Sequence, residues 1–388
     1  MEGSGYVRRK FVAPEFVFGD GARSLVPRYA RNFGIHRALL VSDPGVMAAG
    51  WGEEVAAILA EDGIDCTLFS RVTSNPRSDE VMEGAELYLS RGCNGIIAVG
   101  GGSPIDCAKG IGIISSSPDT HVLDYEGVDV VDHAAPPLVC VPTTAGSAAE
   151  LSQFAIITDA DRGRKIAIVS KAVVPDAALI DPLTTTTLDP YGTACTAMDA
   201  LCHGIEAYVS LAHSPVTDLH ALEAVRLVWG SLQRVLEDPQ DLRARGRMLL
   251  ASVHAGLAFS NASLGAVHAL AHSLGGMADI AHGAANAVLL APVVALNFDS
   301  AAGRYAHIAE AAGLAPAGAP PDEVRDALLG GLRKLREDAA LPGDLSGAGL
   351  SAEDLPAMAE NALRDPCMVT NPLTPTLQDV ERIYGSLL

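Results

Sequence analysis

The 388-residue chain is short of positive charge. It has 27 lysines and arginines against 47 aspartates and glutamates, a formal net charge of −20 at pH 7. The excess acid is spread along the chain rather than gathered in a tail, which argues against nucleic acid or an anionic membrane as partner. Long apolar runs are also missing. The most apolar stretch, AANAVLLAPVVALNF at 284–298, is too short and too interrupted by Pro292 to span a bilayer and reads as a core helix. The basic residues of MEGSGYVRRKFVAPEF are followed by no apolar segment, so no secretory signal is expected. Paired cysteines are absent as well: the seven, at 66, 93, 107, 140, 195, 202 and 367, form no CxxC and no regular framework. They read as reduced core thiols of a cytoplasmic protein. No internal repeat is evident.

What is present is core material, 49% hydrophobic residues in a chain longer than one core usually sustains, so two domains are expected. HRALLVSD (36–43), DCTLFSRV (65–72), GIIAVG (95–100) and PLVCVPTT (137–144) read as strands. WGEEVAAILAEDG and EVMEGAELYLSRG, lying between them, have the apolar spacing of helices. This βαβα order implies a Rossmann-like parallel sheet with helices on both faces. Beyond residue 188 the strand-like runs stop and Ala/Leu-rich helical patterns follow one another to the end. The boundary is placed at DPLTTTTLDP, giving an α/β domain over 1–185 and an all-α domain over 186–388.

In IIAVGGGSPIDCAKGIGI, Gly100, Gly101 and Gly102 lie between an apolar strand and a helix beginning near Pro104. There they are either a tight turn or a cradle that lets backbone N–H groups approach a pyrophosphate at a helix N-terminus. The spacing is not GxGxxG, and no acidic residue follows about 20 positions on to grip a ribose. Asp43, ending the earlier strand LLVSD, is the alternative: a ribose ligand that would favour NAD over NADP, or a simple cap. VPTTAGSAAE (141–150) is either a polar turn or a second ligand-facing strand end, with Thr143, Thr144 and Ser147 as donors.

Histidines carry the signal in the second half. His268 and His272 are four apart, and so are Asp199 and His203 in TAMDALCHGIEAY, so each pair shares one helical face. His282 follows Gly275 and Gly276, which could end the first helix and return the chain toward its start. A carboxylate and several imidazoles converging would suit Fe(II) or Zn(II) with a position open for substrate. Isolated histidines such as His220 and His254 read instead as ordinary packing residues.

Several separated motifs, in order, give the whole chain a resemblance to the iron-containing (group III) alcohol dehydrogenases. They are VFGDGA (17–22), VTSNP (72–76), VGGGSPIDCAK (99–109), VPTTAGSAAE (141–150), VVPDAALIDP (173–182), MDALCHGIEAY (198–208), VHALAHSLG (267–275), HGAANA (282–287) and DPCMVTNP (365–372). SQFAIITD, DLHALEA and AFSNASLGAVHALAHSLGG look most like a subgroup described as a regulatory protein of ethanol oxidation. The resemblance implies a dehydroquinate-synthase-like architecture: a dinucleotide-binding α/β domain, a helical metal domain, and the active site between them. It also implies a homodimer or larger assembly. By motif position, Asp199, His203, His268 and His282 would hold the metal, and His272 would stand near the nicotinamide and substrate. Asp43, Asn75, Gly100, Gly101, Gly102, Ser103, Asp106, Thr143, Thr144 and Lys165 would line the NAD(H) site; Phe154, Phe259 and Cys367 would line the substrate pocket. Ser273 and Leu373 depart from the Pro and Arg common in the family, which puts substrate preference in question but removes no ligand. The implied reaction is hydride transfer between NAD(H) and a small primary alcohol or aldehyde. Reduction of a functionalised small aldehyde and a dehydrogenase-like sensor of alcohol oxidation are the alternatives.

Overall fold

A computed structural model describes residues 7–278 and 280–388, so Met1–Tyr6 of the leader reading lie outside the described residues. The first half runs β1 (Glu15–Phe18), α1 (Val26–Asn32), β2 (Arg37–Val41), α2 (Pro44–Ala48) and α3 (Trp51–Glu61). It continues with β3 (Asp65–Phe69), α4 (Ser78–Ser90), β4 (Gly95–Gly100) and α5 (Gly102–Ser116). Then come β5 (Gly127–Val128), β6 (Leu138–Pro142), β7 (Phe154–Asp159), β8 (Arg164–Val169) and β9 (Ala177–Ile180).

Six strands form one parallel sheet in the order β1-β9-β6-β4-β2-β3. Both faces are covered, so each strand is apolar on successive residues. In β4, Ile96 and Ala98 pack into one core with β6, α4 and α5, while Ile97 and Val99 pack into the other with α1 and α3. The chain leaves β2 for β3 on one side and returns through α4 to β4 on the other. The carboxyl ends of β2 and β4 therefore flank a topological switch point, where open α/β sheets bind ligands. That explains how Asp43, just past β2, lies beside the glycines that follow β4.

Sequence patterning indicated β2, β3, β4 and β6. It did not indicate the antiparallel pair β7–β8, registered Phe154↔Val169 through Asp159↔Arg164 and extended by β5.

From Pro190 onward the regular elements of the described residues are all helices: α6 (Pro190–Val209), α7 (Pro215–Trp229), α8 (Leu232–Glu237), α9 (Leu242–Ala262) and α10 (Ala266–Ala278). They continue as α11 (His282–Asn297), α12 (Ala302–Ala311), α13 (Pro321–Asp338), α14 (Leu355–Arg364) and α15 (Leu377–Gly385). Asp189 caps α6 by accepting from the Gly192 N–H, with Pro190 at the first helical position.

Two expectations need correction. Gly275 and Gly276 do not end α10, which continues to Ala278. A Cβ on Gly276 would come within 2.8 Å of the Gly163 carbonyl and 2.9 Å of Arg164 Cα, so glycine there lets α10 press against the turn between β7 and β8. The apolar run at 284–298 belongs to a longer element. His282–Ser300 is long and apolar enough to cross a membrane, but 72% of it is buried inside the fold, as expected for a core helix. The α9–α10 pair meets the same test only when taken together across its 98° bend.

Candidate active site

A cavity of about 920 Å³ runs from the carboxyl ends of β2 and β4 to the middle of α6 and the N-terminal turns of α10 and α11. At its sheet end lie Asp43, Gly101, Gly102, Ser103, Thr143 and Thr144. The Thr143 N–H donates to the Gly100 carbonyl (3.0 Å) and ties the two strand-end loops together. A Cβ on Gly101 would meet Thr144 Cγ2 at 2.9 Å, and one on Gly102 would meet Ser147 Cβ at 3.0 Å, so only glycine leaves this floor open. Gly100 itself shapes the turn without lining the cavity. Asp43 combines both roles weighed for it: Oδ1 accepts from the Val46 N–H (2.8 Å) as the cap of α2, and the side chain still faces the cavity.

Further in, Lys165 Nζ donates to Asn75 Oδ1 (2.7 Å), joining β8 to the loop after β3. Asp106 accepts from the Ile156 N–H (3.2 Å), and burial pushes its pKa up to about 6. Phe154 and Phe259 form an apolar wall, ring centroids 5.7 Å apart. Cys367 departs from expectation. It is buried, is absent from the cavity lining, and sits behind His272 because the Pro366–Thr370 turn faces it inward.

At the helical end, Asp199 and His203 of α6, His268 of α10 and His282 of α11 converge. Asp199 Oδ1 lies 3.7 Å from His203 Nε2, 3.4 Å from His268 Nε2 and 3.6 Å from His282 Nε2. Donor atoms held about 2.1 Å from one ion at tetrahedral angles stand about 3.4 Å apart, so the spacing of Asp199, His268 and His282, whose ligand atoms all lie within 4.8 Å of one another, fits a single divalent cation, with His203 at the edge of the group.

The remaining contacts orient these rings. His268 Nδ1–H donates to Glu206 Oε2 (2.5 Å), and Glu206 Oε1 accepts from the Val267 N–H (2.6 Å) in the first turn of α10. His203 Nδ1–H donates to the Gly146 carbonyl (3.2 Å). Both bonds place a proton on Nδ1 and turn Nε2 toward the cluster. The Asn286 amide donates to Asp199 Oδ1 (2.8 Å) and lies 3.3 Å from Nε2 of both His268 and His282.

The electrostatics follow. Burial, offset only in part by Asp199, lowers His203 to about 4. Burial likewise pulls His282 far below an ordinary histidine. Burial would lower His268, but Asp199 and Glu206 outweigh it and bring its pKa to about 9. Burial would raise Asp199, but the three histidines hold it well below the usual carboxylate range. A buried carboxylate that holds His268 protonated in the absence of a metal marks a place for positive charge, which a cation would fill by displacing that proton. Left unpartnered, such groups cost about 1–3 kcal/mol each.

His272 lies beside this cluster, parallel to His282 at 5.4 Å, and lines the cavity. Its Nδ1–H donates to Asp365 Oδ2 (2.8 Å). Sequence reading missed Glu206, Asn286 and Asp365. Glu206 lies seven residues after Asp199 and three after His203, and Asn286 four after His282, so helical spacing could have indicated both. Asp365 is 93 residues from His272 and has no such signal.

Comparison with known proteins gives these features a family. The model described as "Iron-containing alcohol dehydrogenase" matches residues 13–182, and "Fe-containing alcohol dehydrogenase family, C-terminal" matches 193–388. The chain belongs to the iron-containing alcohol dehydrogenase family. It is 37% identical over 381 residues to alcohol dehydrogenase 4 of Schizosaccharomyces pombe, covering 97% of this chain and 89% of the relative. It is 33% identical over 378 residues to the NAD-dependent methanol dehydrogenase of Bacillus methanolicus, covering 97% and 99%. The crystal structure of a 1,3-propanediol oxidoreductase superposes with a TM-score of 0.94 at 36% identity, covering 98% of this chain and all of the other. Membership makes the protein an oxidoreductase of the alcohol dehydrogenase class. The sheet with its helical partner is the dehydroquinate-synthase-like architecture expected from the motifs.

Proposed function

We propose that the protein interconverts a short, uncharged primary alcohol and its aldehyde, using NAD(H) and one divalent cation, Fe(II) before Zn(II). The observation that carries this reading is the convergence of Asp199 Oδ1 and three imidazole Nε2 atoms, 3.4–3.7 Å from it, at the inner end of a cavity whose outer end is the glycine floor after β4. We take residues 1–185 as the cofactor half and 186–388 as the cation half, following the switch from strands to helices between Ile180 and Pro190.

Bound there, the cation supplies a Lewis acid for the alcohol or carbonyl oxygen and the nicotinamide accepts or delivers hydride. Asp199, His203, His268 and His282 hold the cation, with Glu206 and the Gly146 carbonyl fixing two of the rings. Gly101, Gly102 and Ser103 offer backbone N–H groups at the start of α5 to the pyrophosphate, and Thr143 and Thr144 add hydroxyls. Asp43 accepts from the adenosine ribose and repels a 2′-phosphate, which favours NAD over NADP. Asn75, Lys165 and Asp106 orient the nicotinamide end, Phe154 and Phe259 keep water from the reacting carbon, and His272 moves the alcohol proton.

The cavity's charge supports an uncharged substrate. Its lining carries carboxylates at Asp43, Asp106, Asp189 and Asp199, while Lys165, the single lysine or arginine among the described lining residues, is engaged with Asn75. Aldehydes bearing a carboxylate or phosphonate are therefore poor candidates. Seven unbridged cysteines support residence in a reducing compartment such as the cytoplasm.

The test is a steady-state panel of C2–C4 alcohols and aldehydes, with anionic semialdehydes as controls, NAD against NADP, and Fe(II) or Zn(II) added or withheld. Turnover of the uncharged substrates with NAD and cation is expected. Absence of turnover on every substrate in protein holding both cation and NAD would defeat the proposal and favour a sensor.

A further inference from the structure

The cap on the Pro366–Thr370 turn has more acceptor capacity than capping requires. Asp365 Oδ1 accepts from the Cys367 N–H (2.8 Å), which suffices to cap the turn. Its other oxygen, Oδ2, faces His272 Nδ1 at 2.8 Å. Both side chains are about nine-tenths buried. The segment carrying Asp365 is docked on α10 and on the stretch before it independently of this contact: Thr370 Oγ1 donates to the Leu264 carbonyl (2.6 Å), and Ser273 Oγ donates to the Met358 carbonyl (2.8 Å).

We propose that Asp365 is a positioning residue for the reaction: by accepting from Nδ1–H it fixes the tautomer and orientation of His272, so that Nε2 faces the cavity with its lone pair available for the alcohol proton. The inference rests on the reading of His272 as the proton-moving group. A carboxylate is needed because both oxygens face donors. An asparagine offers one acceptor and one donor. If its oxygen keeps the Cys367 N–H, its NH₂ faces Nδ1 and drives the ring proton to Nε2, onto the atom that must accept. If its oxygen turns to His272, its NH₂ meets the Cys367 N–H donor to donor. A cap alone has no such demand, since asparagine and serine cap turns and helices about as well as aspartate.

The test combines kinetics with a direct view of the ring in NAD-saturated, Zn(II)-loaded protein. Asp365→Asn and Asp365→Ser are expected to keep the cation and the KM for NAD, with the melting temperature falling by only a few degrees where serine leaves the His272 N–H unpaired, while kcat falls on the order of 100-fold, the usual scale of general acid–base catalysis. In a His272→Ala background, Asp365→Asn is expected to cost less than about twofold more, because residues acting as a unit are not additive. Nitrogen-15 NMR of the His272 ring should show Nδ1–H in the unaltered protein and Nε2–H in Asp365→Asn. Unchanged kcat in both Asp365 variants, or a full 100-fold loss persisting without His272, overturns the inference. Should His272→Ala turn over at the full rate, the reading of His272 as relay fails, and the tautomer spectra then decide separately whether Asp365 positions the ring.

Discussion

In the proposed function the two ends of the cavity hold charged groups, a pyrophosphate and a cation, with opposite materials. The sheet end is built largely from backbone: a glycine floor, a helix start, and hydroxyls at strand ends tied together by the bond from the Thr143 N–H to the Gly100 carbonyl. The helical end is built from side chains on three helices, and His268, His203, Asp199 and His272 are each held by a second buried group: Glu206, the Gly146 carbonyl, Asn286 and Asp365 respectively. A backbone cradle depends on close approach and fails by steric filling. A side-chain cage depends on convergence and fails by loss of a ligand or of the group that aims it. The two ends should therefore be separable by mutation.

The largest effect is expected at the cage. His268→Ala should abolish cation retention and lower turnover by on the order of 1000-fold or more while leaving NADH affinity nearly unchanged, checked by metal analysis and fluorescence titration. Glu206→Gln keeps all four cage residues but weakens the aim of His268, so cation affinity should fall about 10–100-fold, measured by competition with a chelator. Gly101→Val attacks the other end: its side chain has to enter the space held by Thr144, so NADH affinity should fall about tenfold or more while the cation stays bound. Loss of the cation there would show that the ends are coupled.

The smallest effect concerns the packing beneath the sheet end. Burial raises the Glu150 pKa from 4.5 to about 7, so the folded state keeps a proton that the unfolded chain releases earlier. That stability is present below about pH 4.5 and is lost as pH rises through 7. Glu150→Gln, neutral throughout, should flatten this decline in denaturant titrations, and an unchanged slope would remove Glu150 as its source.

The same contrast sets what could be read in the sequence. β2, β3, β4, β6 and the helices α3, α4 and α5 were legible because their burial repeats locally, on both faces of a strand or along one helical stripe. The β7–β8 pair was missed although FAIITD and RKIAIV carry strand-like runs around a turn, because the surrounding βαβα rhythm suggested parallel pairing only. Gly275 and Gly276 were misjudged because their role depends on partners more than 100 residues earlier, Lys165 for the first and the turn at Gly163 for the second. In the cage, the pairs spaced by four were legible from helical geometry. Asp365 was not, since its partner is fixed by how α14 docks on α10. Cys367 was misplaced for the same reason: the turn that caps on Asp365 faces it away from the cavity.

The most direct test of the account strips the purified protein with a chelator and then restores Fe(II) or Zn(II) in steps, following NADH formation from a C2–C4 alcohol and NADH binding in the same sample. Turnover should fall to background on stripping and return in full at a single equivalent of ion per chain, with NADH binding unchanged throughout. Full turnover in the stripped protein would contradict it.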